Sequence, residues 1–315
     1  MTHYLIPFLN VTSKLEEREW RFDGGRFHWI GWDSREKTIP TIGEGRQNEQ
    51  GEWEHYTYRA GRLVVELDAG ATRDDAQRAT DALSGLVDLY GGPWGFQLTL
   101  MELPSEFADA DTIIEEDLAE ELWHHERLQP THMIGMEGGT YIRDEPIEWA
   151  LDHVAVVVDD ADAGGGLLAA LVFLLVSQLE FAFVGDDVRW VLGLEDDDDA
   201  PQSAIDRVRI EESFHNCFKA VEAVLGGLPP KKPHRLRPRL ITAGIDPDET
   251  DGYPCRAEET MLARVVRFRE TRDKRSAHGG RTGVASRKIT FFELMDAQRA
   301  TGLAIYRSLM AKAGA

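Results

Sequence analysis

The stretch "LLAALVFLLVSQLEFAFV", residues 167–184, decides the fold. It is close to the minimum length that crosses a bilayer as a helix. Ser177, Gln178 and Glu180 interrupt its apolar run, no basic residue flanks it closely, and acids follow it. That pattern predicts the buried core helix of a bundle, with no membrane contact. Immediately before it stands Gly164-Gly165-Gly166, a triple glycine that reads as a hinge and sets a domain boundary. The chain is therefore divided into residues 1–163 and residues 164–315.

Downstream of the boundary the pattern stays helical. In "SAIDRVRIEESFHNCFKAVEAVLGG", residues 203–227, Ser203 and Asp206 have capping-box spacing. Ile205, Val208, Phe214, Phe218, Val221 and Leu225 form its expected buried stripe, and Gly226-Gly227 close it. "LPPKKPHRLRPRL", residues 228–240, reads as a basic loop broken by prolines. A helix is expected from Ala257 to Lys274, packing through Met261, Leu262, Val265 and Phe268. A last helix begins at the capping box Thr290/Glu293 and runs to Lys312.

Upstream, the fold class is α+β. Two aromatic-rich runs flank Asp23-Gly24-Gly25 in "REWRFDGGRFHWIGW", a hairpin signal. "HYTYRAGRLVVELDAG" alternates about Leu63, Val65 and Leu67 as a half-buried strand does. Thr72 and Asp75 then open a helix with Ala76, Ala79, Leu83 and Leu86 on one face and Gly91 at its end. "WGFQLTLMEL" reads as a strand, "DTIIEEDLAEELWHHE" as an acidic amphipathic helix and "HVAVVVDD" as a strand.

Composition bounds the function. The 315 residues carry a net charge of −21, with 42% hydrophobic and 29% charged residues, as in ordinary globular proteins. Cys217 and Cys255 form no C-x-x-C, which excludes a disulfide framework and a zinc pattern and fits a reducing cytoplasm. The N-terminus has no basic n-region, so no secretion signal is expected. Residues 1–200 hold 14 Lys and Arg against 42 Asp and Glu, whereas residues 201–315 hold 21 against 14. The first part should repel nucleic acid and the second attract it. A cut at residue 163 leaves the second part near neutral, so the basic character is local.

That local basic region holds "RETRDKRSAHGG", residues 269–280. On an unbroken helix Arg272 and His278 would lie about 240° apart. They converge only if the helix ends between them, as Ser276 and the glycines at 279–280 allow. Together they would suit one reaction. An RNA phosphodiester is cleaved by its own 2′-hydroxyl when an imidazole manages a proton near neutral pH. A guanidinium matches two phosphate oxygens and carries the developing charge. No metal or cofactor is needed.

"RDKRSAHGG" resembles the R-x4–6-H signature of the HEPN superfamily, most closely in abortive-infection and related defence proteins. The "FHNCFKAVEAVLGG" helix upstream and the final helix after the His-Gly turn fit that frame, so the resemblance covers residues 165–315 as an all-α HEPN-like bundle. It implies a metal-independent endoribonuclease, a homodimer whose two motifs meet at the interface, acting in phage defence or toxin-like growth control. His278 would be the general acid/base, Arg272 the phosphate-binding group, and Asp273 the polar neighbour that orients one of them. Lys274 and Arg275 would contact RNA or solvent. An antitoxin or regulatory partner belongs to the same picture. No resemblance covers residues 1–160, to which a sensing or restraining role is open. Some HEPN domains only dimerise or bind, so a non-catalytic regulatory module is the alternative.

The other candidates read as structure. Glu121 and His125, with His124 and His132 nearby, sit on an acidic helix without H-E-x-x-H and read as a solvated face. "GGRTG", residues 279–283, lacks the ending of a phosphate loop, and "LEDDDDA" lacks the glycine and glutamate of a calcium loop. There is no G-x-S-x-G, and Cys217 in "HNCF" reads as packing. Glu180 and Glu222 read as ion-pair partners before active-site acids. Lys231, Lys232 and Arg235 in the basic loop either guide RNA by its phosphates or are a plain surface loop. With no aromatic residue there, base stacking is unsupported.

Overall fold

A computed structural model describes residues 3–10, 19–32, 37–38, 45–47, 53–55, 57–91, 98–102, 136–137, 141–142, 145–182, 204–250, 258–273 and 289–314. The chain separates into two compact units, Met1–Asp159 and Asp160–Ala315, so the division falls four residues before the expected one.

The first unit is α+β. Its strands are β1 (His3–Asn10), β2 (Glu19–Phe22), β3 (Gly25–Trp32), β4 (Lys37–Thr38), β5 (Gly45–Gln47), β6 (Trp53–His55), β7 (Thr57–Leu67), β8 (Met101–Glu102), β9 (Met136–Glu137) and β10 (Tyr141–Ile142). The main antiparallel sheet has the order β2-β3-β7-β1-β8, and β4 pairs with the start of β7. The expected hairpin is β2–β3, turning at Asp23-Gly24. Gly24 has φ +94°, a conformation that favours glycine. Strand alternation sends Trp20, Phe22, Phe27, Val65 and Leu67 into the core and leaves Glu19, Arg26, His28 and Glu66 on the other face. Of "WGFQLTLMEL" only Met101–Glu102 is a described strand.

Helix α1 (Arg73–Gly91) follows the sequence pattern closely. The Asp75 carboxylate accepts the Thr72 backbone N–H at 2.6 Å, and Ala76, Ala79, Leu83 and Leu86 are fully buried. That backbone hydrogen bond, with Arg78 and the Thr72 hydroxyl, holds the Asp75 carboxyl below its ordinary pKa. "HVAVVVDD" is not a strand: it lies inside helix α2 (Glu145–Asp162). Ile147, Ala150, Leu151, Val154, Val157 and Val158 are buried at helical spacing. A run of valines has strand propensity, but burial along one helical stripe outweighs it. The Trp20 indole donates to Asp152 at 3.0 Å, and Trp149 stacks on Tyr90 at 5.0 Å, tying α2 to β2 and α1.

The second unit is helical: α3 (Leu167–Ala182), α4 (Ala204–Val224), α5 (Pro233–Thr242), α6 (Met261–Thr271) and α7 (Phe291–Ala313). No single helix among the described residues is long and apolar enough to cross a membrane. In α3, Leu167, Ala170, Leu171, Leu174 and Leu175 are buried, as expected for a core helix. Its polar interruption joins three helices. The Ser177 hydroxyl contacts Ser213 at 2.9 Å and Cys217 Sγ at 3.1 Å on α4, and Gln298 Nε2 of α7 donates to Ser177 Oγ at 3.1 Å. Burial pushes the Cys217 thiol up to about 12, so it is inert packing.

One core cluster gathers Phe214, Phe218, Phe268, Leu294 and Ala297 from α4, α6 and α7. A second gathers Val221, Leu225, Leu236, Leu240, Met261 and Val265. Burying each large side chain contributes about 1.5–3 kcal/mol. Val208, expected in the α4 stripe, is 59% exposed, and Ile210 is buried in its place. The Ser203 cap lies outside the described residues. So do the acidic 111–126 segment with Glu121, His124 and His125, and also His132, "LEDDDDA" and "GGRTG".

The triple glycine lies in the turn between α2 and α3. A Cβ on Gly166 would stand 2.1 Å from the Ala223 carbonyl oxygen, so glycine lets the turn press on α4. The basic proline-rich stretch is not a loop. Pro233 occupies the first helical turn of α5, where no N–H is required, and Leu236 and Leu240 are fully buried one turn apart. Pro238 costs one internal hydrogen bond, which the buried leucine pair offsets. The α7 capping box forms as expected: Thr290 N–H donates to Glu293 at 2.9 Å, and Glu293 N–H to Thr290 Oγ1 at 3.2 Å.

Candidate functional site

The C-terminal end of α6 brings chemistry-bearing side chains against α4. The helix is anchored by Thr260, whose hydroxyl accepts the Ala263 N–H, and by Met261, Val265 and Phe268 in the core. Arg264, only 1% exposed, pairs with Asp296 of α7 at 3.4 Å, and Arg267 pairs with Glu259 at 2.8 Å and with Asp296. The regular helix ends at Thr271, three residues before the expected Lys274, and Arg272 is its C-cap.

At that position the Arg272 guanidinium lies over the Phe218 ring, 4.8 Å from its centroid. Its Nη1 is 3.9 Å from Glu222 Oε1 and 4.0 Å from Asp273 Oδ1, beyond hydrogen-bonding reach of either. The side chain is one-third exposed. Such a cation–π contact favours the guanidinium's position, and a guanidinium fork can match two oxygens of one phosphate.

Asp273 serves other partners. It accepts from Lys231 at 2.7 Å and from Arg269 Nε at 3.2 Å, while Arg269 Nη1 donates to the Pro229 carbonyl at 3.0 Å. Partial burial raises the Asp273 pKa, but these two cations outweigh it and hold the carboxyl below its ordinary value. Asp273 therefore ties the end of α6 to the loop before α5. Lys231, expected as an RNA contact, is half of that tie. Arg237 forms a bidentate pair with Asp248 at 2.6 Å, and Arg239 donates to the Leu228 carbonyl at 2.9 Å. Lys232 and Arg235 are exposed on the first turn of α5 and make no ion pair among the described residues. Lys274, Arg275 and His278 lie outside the described residues, as does the Arg272–His278 approach that the motif requires.

The structure adds two residues that sequence reasoning did not single out, His215 and Lys219. They and Glu222, expected as an ion-pair partner, follow one another at i, i+4 and i+7 on α4 and share a face. Burial lowers the His215 pKa, Arg272 and Lys219 lower it further, and Glu212 and Glu211 oppose them. The balance favours the neutral imidazole. The spacing was visible in the sequence, but nothing there showed that Arg272 would cross that face. Lys219 donates to Asn216 Oδ1 at 3.2 Å and lies over Phe173. A cleft of about 500 Å³ opens alongside, lined by Phe173, Lys219, Glu222, Gly227, Ser308 and Lys312. Lys312 is paired there with Asp160 at 2.7 Å.

No protein-family model, curated protein or solved structure matches the chain.

Proposed function

We propose that the chain is a HEPN-type, metal-independent endoribonuclease of the cytoplasm, working as a homodimer in phage defence or toxin-like growth control. The observation that supports it is the posture of Arg272. Its guanidinium rests on Phe218 at a helix end, one-third exposed, with Glu222 Oε1 at 3.9 Å. Arg237 and Arg307, by contrast, grip Asp248 and Glu249 in bidentate pairs.

In this reading Arg272 holds the scissile phosphate and stabilises the charge that builds on its oxygens. His278 supplies the proton transfer, and Lys232 and Arg235 add phosphate contacts along the strand. The test is incubation of the purified chain with total RNA in EDTA. Cleavage is expected, with a loss of about 100-fold or more in His278→Ala and Arg272→Ala. Intact RNA with all three proteins would reject the nuclease.

A second reading, a non-catalytic dimerisation or regulatory module, draws on the closed group Lys231–Asp273–Arg269. That group is what a helix-end staple requires, and it lends nothing to catalysis. Under this reading both variants and the wild type leave RNA equally intact while the chain still dimerises.

A further inference from the structure

We infer that the cleft beside α4 binds a small sugar phosphate, with Lys219 and Lys312 holding the phosphoryl group and Glu222 and Phe173 meeting the sugar. The inference does not depend on the nuclease reading.

The cleft lies wholly within the second unit. Helix α3 gives it Leu167 and Phe173, α4 gives Lys219 and Glu222, and α7 gives Ser308 and Lys312. Its backbone is held on several sides. Gly166 packs so closely on the Ala223 carbonyl that no Cβ fits between them. The Gly227 N–H donates to the Glu222 carbonyl at 2.8 Å and closes the end of α4. Asp160 Oδ2 accepts the Leu167 N–H at 2.9 Å and fixes the start of α3. The space of about 500 Å³ between these walls is therefore preformed, and it is the size of a small-molecule site.

The lining selects the ligand. An ammonium group has three N–H donors. Lys219 gives one to Asn216 at 3.2 Å, and Lys312 gives one to Asp160 at 2.7 Å while its side chain stays almost half exposed. Each has donors left for an anion. A phosphate monoester at pH 7 carries a charge of about −1.5 to −2 and three acceptor oxygens, which suits two ammonium groups. Glu222 in the wall and Asp160 behind Lys312 limit the positive charge, so one phosphoryl group fits and a polyanion does not. The same Glu222 carboxylate can accept hydrogen bonds from hydroxyls. Leu167 and Phe173 offer apolar surface to the C–H face of a sugar, and Ser308, only 1% exposed, adds a hydroxyl at depth.

The test is isothermal titration calorimetry of the full chain with glucose 6-phosphate, inorganic phosphate and glucose. Glucose 6-phosphate should saturate at millimolar concentration or below, inorganic phosphate should bind more weakly, and glucose should give no binding heat. Lys219→Met and Lys312→Met should each weaken the sugar phosphate about 10-fold or more. Lys312→Met leaves Asp160 without its cation, so Lys219→Met carries the test if that variant does not fold. Glu222→Gln should weaken the sugar phosphate and spare inorganic phosphate. Arg237→Met, which removes a cation outside the cleft, should change neither. Acidification from about pH 7.5 to about 5.5 protonates the phosphoryl group and should weaken binding. A titration with no saturable heat from either phosphate overturns the site, and affinity unmoved by Lys219→Met overturns its location. Equal affinity for the two phosphates overturns the sugar as ligand. None of these readouts involves RNA cleavage, so their failure leaves the nuclease reading untouched.

Discussion

Asp296 is 2% exposed in α7 and faces two guanidiniums of α6, Arg264 at 3.4 Å and Arg267. Burying a carboxylate is tolerable only beside such partners, because its desolvation costs several kcal/mol. Asp296→Ala leaves Arg264 buried without its counter-charge. Urea unfolding should show a loss of about 3–5 kcal/mol, and the double variant Arg264→Met/Asp296→Leu should recover much of it. Arg264, Arg267, Arg269 and Arg272 look alike in the sequence, four basic residues in one short helix. Only their neighbours separate them. The first two are bound to Asp296, the third to Asp273 and Pro229, and the fourth rests on Phe218.

Among the elements, the elements with strong end signals were the most legible. Thr290/Glu293 forms its full capping box, worth about 1 kcal/mol, and Thr72/Asp75 forms the half in which the Asp75 carboxylate accepts the Thr72 N–H. Two elements misled. The valine run of α2 and the proline-rich α5 have the wrong local propensity, and contacts remote in sequence decide them. Val208 shows the same limit, since periodicity alone placed it on the buried stripe. The α2–α3 turn makes a sharper demand. Gly166 lies so close to α4 that any Cβ would overlap the Ala223 carbonyl oxygen. Gly166→Ala should therefore cost about 1–3 kcal/mol in thermal or urea unfolding, as overpacking does. A neutral result would mean that the turn has slack.

Over the whole molecule, charge is the governing quantity. A chain of net charge −21 can hold RNA only through a local cationic patch. Much of the basic region is already engaged internally, by Lys231 with Asp273, Arg237 with Asp248 and Arg239 with the Leu228 carbonyl. Under the proposed nuclease reading, Arg272, Lys232 and Arg235 would be the phosphate contacts. Three contacts predict a shallow salt dependence, a slope of log K against log salt near about −2. Fluorescence anisotropy with 2′-O-methyl RNA, which cannot be cleaved by this route, measures it directly. A slope several times steeper would show that many more cations engage the strand.

The sequence by itself determined the architecture of both units, an α+β part followed by helices, because apolar periodicity and capping pairs are local quantities. It also pointed to a core helix beginning at Leu167, whose described residues Leu167, Ala170, Leu171, Leu174, Ser177 and Gln178 are buried. Which arginine rests on Phe218 and which faces a buried carboxylate were decided only by the tertiary structure. Those roles depend on side chains some 30 to 60 positions apart meeting across α4, α6 and α7. No spacing within one helix encodes that meeting, because it depends on how the helices pack.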